Sequence, residues 1–518
     1  MKTITCAEWS KLIFLLAILL GTFVRFNPNL LSSFPLNQGG MFAVMVEDLK
    51  ANHYQLPAFT TYNHLNIPFA YPPFGFYTGG LISDLFGLTA LDVLRWVPAF
   101  FASLSIPAFY LLAARLLETK YQAAVATLFF ALMPRALSWF VSGGGLTRAP
   151  GQLFMLLTLA VVVRLYKENR RGDIFWAGLF AGLTIMSHPE AAVHMIASVI
   201  LLWAVLARSR SSFVHLVGVG VIALFVTAPW WATVIRYHGL DPFLSAVQTG
   251  QKSLAVLNLI FFDFTEEVFA TLIAILGLIG LARCLIQKRY LLPLWLALPF
   301  LVEGRSAVLP AAIPLAMLAA IGLIDVLLPT LAHTVSSGRE ESEKVSLLES
   351  GILMYVLFYL FFSAYQFGAQ LSTSSLSLSD RDAMKWVHEN TPNDSRFLVL
   401  TGTNSISCDM VLEWFPALAD RRSIYTVQGT EWTEGANFAS YVRSTYTVQA
   451  CLTDGDIKCL DATVPRSDYE YLYVSKIPRL DCRTIDYKNA FHYFLESLAN
   501  ANEFRKIYES DGVIIFDK

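Results

Sequence analysis

Seven side chains in the first 305 residues have types and positions that could do chemistry: Glu47, Asp48, Arg95, Arg148, His188, Glu190 and Arg305. Carboxylates set among arginines suit a transfer in which an acid takes a proton from a hydroxyl while a cation stabilises an anionic leaving group. Arg148 stands in the turn Ser142-Gly-Gly-Gly-Leu-Thr-Arg-Ala-Pro150, and Arg95 opens an apolar run. Ser187-His-Pro-Glu190 and Glu303-Gly-Arg305 each cap a hairpin between two apolar runs. Charged groups at such places are costly unless they pair or line a wet cavity. Taken singly, an arginine at a helix end reads equally as an interface anchor, and His188 as a capping residue. Taken jointly, the acids and bases point to a polar cleft on one side of a membrane. There is no Walker loop, zinc spacing or nucleophile elbow, and His188 and His194 with Glu190 between them do not form a strong metal spacing.

Glu47 and Asp48 fall in a stretch, 41–50, whose apolar residues Met41, Val44, Met45 and Leu49 recur at helical spacing. Such a helix would lie flat on the membrane surface. Adjacent residues on a helix point about 100° apart, so only one of the two acids can face a cleft. Asp48 lies beside the apolar stripe and is the expected buried acid; Glu47 should lean toward solvent or an arginine.

The elements that must position these groups are membrane helices. The chain has 518 residues, 55% of them hydrophobic and 15% charged, with a formal net charge of −2 and a mean hydropathy of +0.51. This composition excludes a disordered or collagenous chain and a nucleic-acid partner. Charge is unevenly spread. Residues 372–518 are about 24% charged, the soluble norm, and residues 1–371 about 11%. The expected organisation is therefore a transmembrane module, 1–371, with a long external loop at 27–73, followed by an external soluble domain, 372–518.

Twelve apolar runs precede residue 372, beginning with an uncleaved signal anchor at 9–26. Clusters of Lys and Arg mark the cytoplasmic side: Arg115 with Lys120, Lys167 with Arg170 and Arg171, Arg208 with Arg210, Arg283 with Lys288 and Arg289, and Arg339 with Lys344. An odd number of crossings must separate Arg25 from Arg115, yet two runs lie between them. The run 74–87, short and opened by Pro72-Pro73, is the one expected not to cross. About eleven spans remain, with the N-terminus cytoplasmic, the C-terminal domain external and the whole chain in the plasma membrane. The polar loop 329–350 reads as a cytoplasmic linker.

In the tail, helix and strand patterns alternate: helix 380–389, strand 396–400, helix 410–419, strands 423–427 and 469–474, helix 487–499 and strand 512–516. This reads as a small α/β sandwich. Its cysteines are Cys408, Cys451, Cys459 and Cys482. They read as two disulfides or as buried thiols, and an external placement favours disulfides. Cys451 pairs most readily with Cys459 across a short loop, leaving Cys408 for Cys482.

The succession of signal anchor, long external loop, Tyr71-Pro-Pro73, an arginine-initiated span and an external α/β tail resembles the GT-C membrane glycosyltransferases. The likeness is to proteins similar to dolichyl-phosphate-mannose–protein mannosyltransferases. It rests on Pro35-Leu-Asn-Gln-Gly-Gly-Met-Phe-Ala-Val-Met45, Leu56-Pro57, Ile67-Pro-Phe-Ala-Tyr-Pro-Pro-Phe-Gly-Phe-Tyr77 and Arg95. The resemblance implies a sugar donor linked to polyprenyl phosphate, an acceptor (protein, lipid or glycan) at the outer face, and a base or metal-ligating acid in the first loop. A divalent metal ion is among the cofactors it allows. The family's acid falls where Asn37-Gln38 stand here, and Gln38 cannot take a proton. Either Glu47 or Asp48 acts in its place, with Arg95, Arg148, His188, Glu190 and Arg305 binding substrate, or the protein binds lipid-linked sugar without turnover.

Overall fold

The computed structural model describes residues 6–248, 271–335, 341–406, 409–455, 457–476, 479–480, 483–484, 491–501 and 503–518. Up to residue 372 the described chain is almost entirely helical. Seven helices are long and apolar enough to cross a bilayer: Ala7–Leu31, Ala90–Leu116, Gly145–Glu168, Pro189–Leu206, Arg210–His238, Val308–Ala332 and Ser350–Ser372. Four shorter ones, Lys120–Leu132, Asp173–Ser187, Leu272–Ile286 and Leu291–Val302, fill the remaining apolar runs. The run 74–87 forms the helix Phe74–Phe86. Thirteen residues rise about 20 Å, short of the ~30 Å hydrocarbon core. This helix packs beside Gly40–Ala51, Ala90–Leu116 and Gly145–Glu168. Gly75 permits the approach, since a Cβ there would stand 2.5 Å from the Leu146 carbonyl oxygen.

Two boundaries differ from the sequence reading. The first helix runs through Arg25 to Leu31, so the loop begins near residue 32 rather than 27. Arg25 is fully buried and donates to the carbonyls of Gly21, Ala102 and Ala131. A cation that satisfies carbonyls on neighbouring helices can stay inside the bundle, which is why it does not end the span. The polar segment 329–350 is no open linker: helices Leu328–Val335 and Glu341–Ser372 occupy most of it. Residues 336–340, Arg339 among them, lie outside the described residues.

The domain that follows is a five-stranded sheet in the order Arg422–Ile424, Arg396–Leu400, Tyr471–Ser475, Val513–Asp517, Arg505–Glu509. The first two pairings are parallel and the last two antiparallel. Helices Leu378–Asn390, Met410–Ala419, Phe438–Asp454 and His492–Asn500 pack with it. A disulfide joins Cys451 to Cys459, linking Phe438–Asp454 to Ile457–Thr463. Cys408 and Cys482 lie outside the described residues.

The two modules share a core. Met41, Met45, Val46 and Leu49 of the helix Gly40–Ala51 are buried in one cluster with Met410, Val411, Trp414 and Phe415. The helix is therefore covered by the C-terminal domain rather than lying bare on a membrane surface. Gly40 has no side chain where a Cβ would meet the Glu413 carbonyl oxygen at 2.5 Å. Polar bonds lock the register. Trp414 Nε1 donates to the Asn37 carbonyl at 2.9 Å and Tyr62 to that of Glu413 at 2.7 Å. Asn63 exchanges two hydrogen bonds with the backbone of Ser423 at 2.9 and 2.6 Å.

Candidate functional site

Three helix junctions converge beneath this docked domain. The first is the start of Gly145–Glu168, whose opening turn, rather than a loop before it, carries Arg148. The second joins Asp173–Ser187 to Pro189–Leu206 and carries His188 and Glu190. The third follows Leu291–Val302 and carries Glu303, Arg305 and Ser306. Pro189 at the first helical position fixes the second junction, because its missing N–H costs nothing there. Gly151 lets that junction approach, since a Cβ there would crowd those of His188 at 3.0 Å and Ala191 at 3.2 Å. The resulting cleft is lined by Arg148, Gln152, His188, Glu190, His194 and Ser306, with Phe140, Leu309 and Pro310 as apolar walls.

Within it, Arg305 Nε stands 3.8 Å from Glu190 Oε1, and His194 Nε2 3.6 Å from Glu303 Oε2. Glu303 accepts from the Ser306 hydroxyl at 2.7 Å and from the amides of Arg305 and Ser306 at 2.9 and 3.0 Å. Burial acts to raise the Glu303 carboxyl. The bonds from His194, Ser306 and the two amides outweigh it and hold the group at about 2. Glu303 is thus a fixed anion that orders its loop, while Arg305 reaches outward with its side chain 58% exposed. The Gln152 side-chain oxygen is buried without a hydrogen-bond partner. The cleft encloses about 30 Å³, room for ordered water.

The C-terminal domain closes this end and adds carboxyls. Tyr71 of the first loop touches His188 and Trp432 ring to ring, at 6.3 and 5.9 Å between centroids. Burial pushes its hydroxyl up to about 12. Glu431, beside Trp432, is raised by burial, with Arg305 acting against the shift. Glu413 is 4% exposed. Its Oε1 accepts the Gly39 amide at 2.9 Å, and its Oε2 is buried without a partner. Burial pushes the Glu413 carboxyl up to about 8, against the amides of Gly39 and Gly40 and the charge of Arg148. Arg148 lies over the Trp139 ring at 5.4 Å and acts electrostatically on Glu413, Tyr71 and Glu190 alike.

The residues singled out in the sequence divide into three places. Arg148, His188 and Glu190 line the cleft, and Arg305 stands beside it, against Glu190. Glu47 and Asp48 border a different cavity, with Thr61, Leu91, Trp414 and Leu418. The single cleft floored by the first-loop helix is thus corrected. Asp48 is half-buried and Glu47 exposed, but both Asp48 oxygens are held by Thr60 and Thr61, at 2.6 to 2.9 Å, so the carboxylate clamps a loop. Glu47 pairs with Lys50 at 3.4 Å. Arg95 faces a third cavity and donates to the carbonyls of Asn29 and Ser32. Sequence reasoning missed Glu413 and Glu431. Among the described residues no three His, Cys, Asp or Glu side chains converge as metal ligands, and Glu303 is engaged by its own loop and by His194.

Residues 70–232, under a third of the chain, match the family described as dolichyl-phosphate-mannose-protein mannosyltransferase. No curated protein matches the chain by sequence. Among solved structures, the archaeal oligosaccharyltransferase AglB from Archaeoglobus fulgidus, in complex with an inhibitory peptide and a dolichol-phosphate, is 16% identical. It superposes with a TM-score of 0.57 over 90% of this chain and 69% of that one. ArnT from Cupriavidus metallidurans bound to undecaprenyl phosphate is 15% identical, with a TM-score of 0.55 over 98% of this chain and 97% of that one. The arabinofuranosyltransferase AftD from Mycobacteria is 15% identical, with a TM-score of 0.57 over 99% of this chain and 40% of that one. At these identities the likeness is one of fold, and the fold is that of the GT-C superfamily of membrane glycosyltransferases.

Proposed function

We propose that this GT-C-fold protein moves a sugar from a polyprenyl-phosphate donor to an acceptor hydroxyl at the outer face of the plasma membrane. The reading is carried by one observation: Arg148, His188 and Glu190 converge in a cleft where the helix ends meet the C-terminal domain, with Arg305 reaching Glu190 from beside it. In the transfer, the acceptor oxygen bonds to the anomeric carbon as that carbon's bond to the phosphate oxygen breaks. The electron pair leaves with the phosphate, and the hydroxyl proton passes to a carboxylate. Arg305 and Arg148 are the cations proposed to receive the phosphate. Glu190, 23% exposed and facing Arg305, is the proposed base. Dolichol-phosphate in AglB and undecaprenyl phosphate in ArnT support a donor of this class; the acceptor is left as a protein, lipid or glycan.

Purified protein incubated with a panel of polyprenyl-phosphate hexoses and a host membrane extract as the source of acceptor should release polyprenyl phosphate as the sugar passes to an acceptor hydroxyl. Glu190→Gln should cut the rate roughly 100-fold or more with little change in donor binding. Arg305→Ala should weaken donor binding as well. A second reading, a protein that holds lipid-linked sugar without turnover, is favoured by Gln38 at the expected acid and by the engagement of Asp48 with Thr60 and Thr61. Donor retained on the wild-type protein with no release across the panel would decide for it.

A further inference from the structure

A separate cavity of about 360 Å³ lies between the first loop, the start of the Ala90–Leu116 span and the helix Leu378–Asn390. It shares no lining residue with the cleft. Arg95, Arg381, Lys385 and His388 line it, and the acid among its lining residues is Asp92. Asp92 is committed elsewhere: it accepts from the amide and hydroxyl of Thr89, closing the capping box of the span. Neither Arg95 nor Arg381 has an ion-pair partner among the described residues, and the Nε of each is buried without a hydrogen-bond partner. Arg381 donates to the Ser33 hydroxyl at 3.0 Å and lies over the Phe34 ring, while Arg95 lies over Trp96. Burial lowers Arg381; the exposed Asp382 acts against this and Arg95 adds to it. Two guanidinium groups over aromatic faces, neither ion-paired among the described residues, leave an excess of positive charge that an anion would offset.

We infer that this cavity is a second anion site, which takes a phosphate group presented at the membrane interface, distinct from the proposed transfer cleft. Its depth suits a lipid headgroup. Arg95 stands in the second turn of a span, Arg381 follows the Ser350–Ser372 span by nine residues, and Trp96 lies near the same span end as Arg95, where aromatic and basic side chains suit a membrane interface.

The test uses the full-length protein in detergent, with native mass spectrometry reading lipid retention. Dioleoyl phosphatidylglycerol should be retained in preference to phosphatidylcholine. Arg381→Gln should lower that retention about tenfold, and Lys385→Gln, an exposed change that leaves the fold alone, about threefold. Arg305→Gln, in the cleft, should leave it unchanged, so failure of the transfer reading and failure of this one give different results. Inorganic phosphate is the second probe. Competition by millimolar phosphate supports recognition of the phosphate group itself. Phosphate binding that Arg381→Gln abolishes, without lipid retention, keeps the anion site but makes its ligand soluble. Retention equal in all variants, or lost only with Arg305→Gln, overturns the inference.

Discussion

Glu413 is one acid in an otherwise apolar decapeptide, Met410–Ala419. An acid in such a run is a signal of a buried carboxyl, and it was the trace in the sequence that could have found it. Its partners could not be read there, because Gly39 lies 374 positions away. The helical spacing of 41–50 did give the relative burial of Glu47 and Asp48, but not the two threonines that occupy Asp48. The consequence for Glu413 is a pH dependence of definite sign. Its folded value of about 8 lies above the ordinary 4.5, so the folded state binds the extra proton. The associated stability is whole below about 4.5 and is lost as pH rises through about 8. Within that window the slope approaches about 1.4 kcal/mol per pH unit. Chemical denaturation between pH 5 and 9 should show wild-type stability falling more steeply than that of Glu413→Gln. Parallel curves would mean that the carboxyl is already ionised in the folded protein.

At the scale of elements, the apolar runs were the most legible feature, since a span announces itself by length and composition. Charge parity marks the run 74–87 as one that does not cross; it forms the 13-residue helix Phe74–Phe86, but Lys120–Leu132 and Leu291–Val302 are no longer than this, so length alone does not set it apart. The helix Phe438–Asp454 was missed because its Thr, Val and Tyr content favours strands; tertiary packing overrode that preference. The strand Arg505–Glu509 was missed because three of its five residues are charged, a composition typical of a sheet edge rather than a buried strand. One helix pair depends on two glycines. A Cβ on Gly280 would stand 1.9 Å from the Leu318 carbonyl oxygen, and one on Gly322 2.0 Å from that of Leu276. Helices Leu272–Ile286 and Val308–Ile321 therefore touch backbone to backbone, as close-packed membrane pairs do. Gly280→Ala or Gly322→Ala should force them apart and cost roughly 1–3 kcal/mol, seen as a lower melting temperature in detergent. An unchanged melting temperature in both variants would show that the pair has slack.

For the molecule as a whole, the composition break near residue 372 gave the change from membrane module to α/β domain. The core joining the two was not legible, because contacts such as those of Trp414 with Phe34 and Asn37 link distant parts of the chain. The proposed orientation makes a direct prediction. A reporter fused after Leu371 should be external and one near Lys120 cytoplasmic, and the same side for both would end the topology. The sheet order has a consequence in time. Val513–Asp517, the latest of the five strands to be synthesised, is an inner strand, seated between Tyr471–Ser475 and Arg505–Glu509. The sheet cannot close until residue 517 has been made and delivered. The membrane helices, completed by residue 372, must wait in the bilayer for their cover. A chain halted before Val513 should leave this domain protease-sensitive and Glu413 unseated, so the proposed site waits on a strand made long after the last membrane helix.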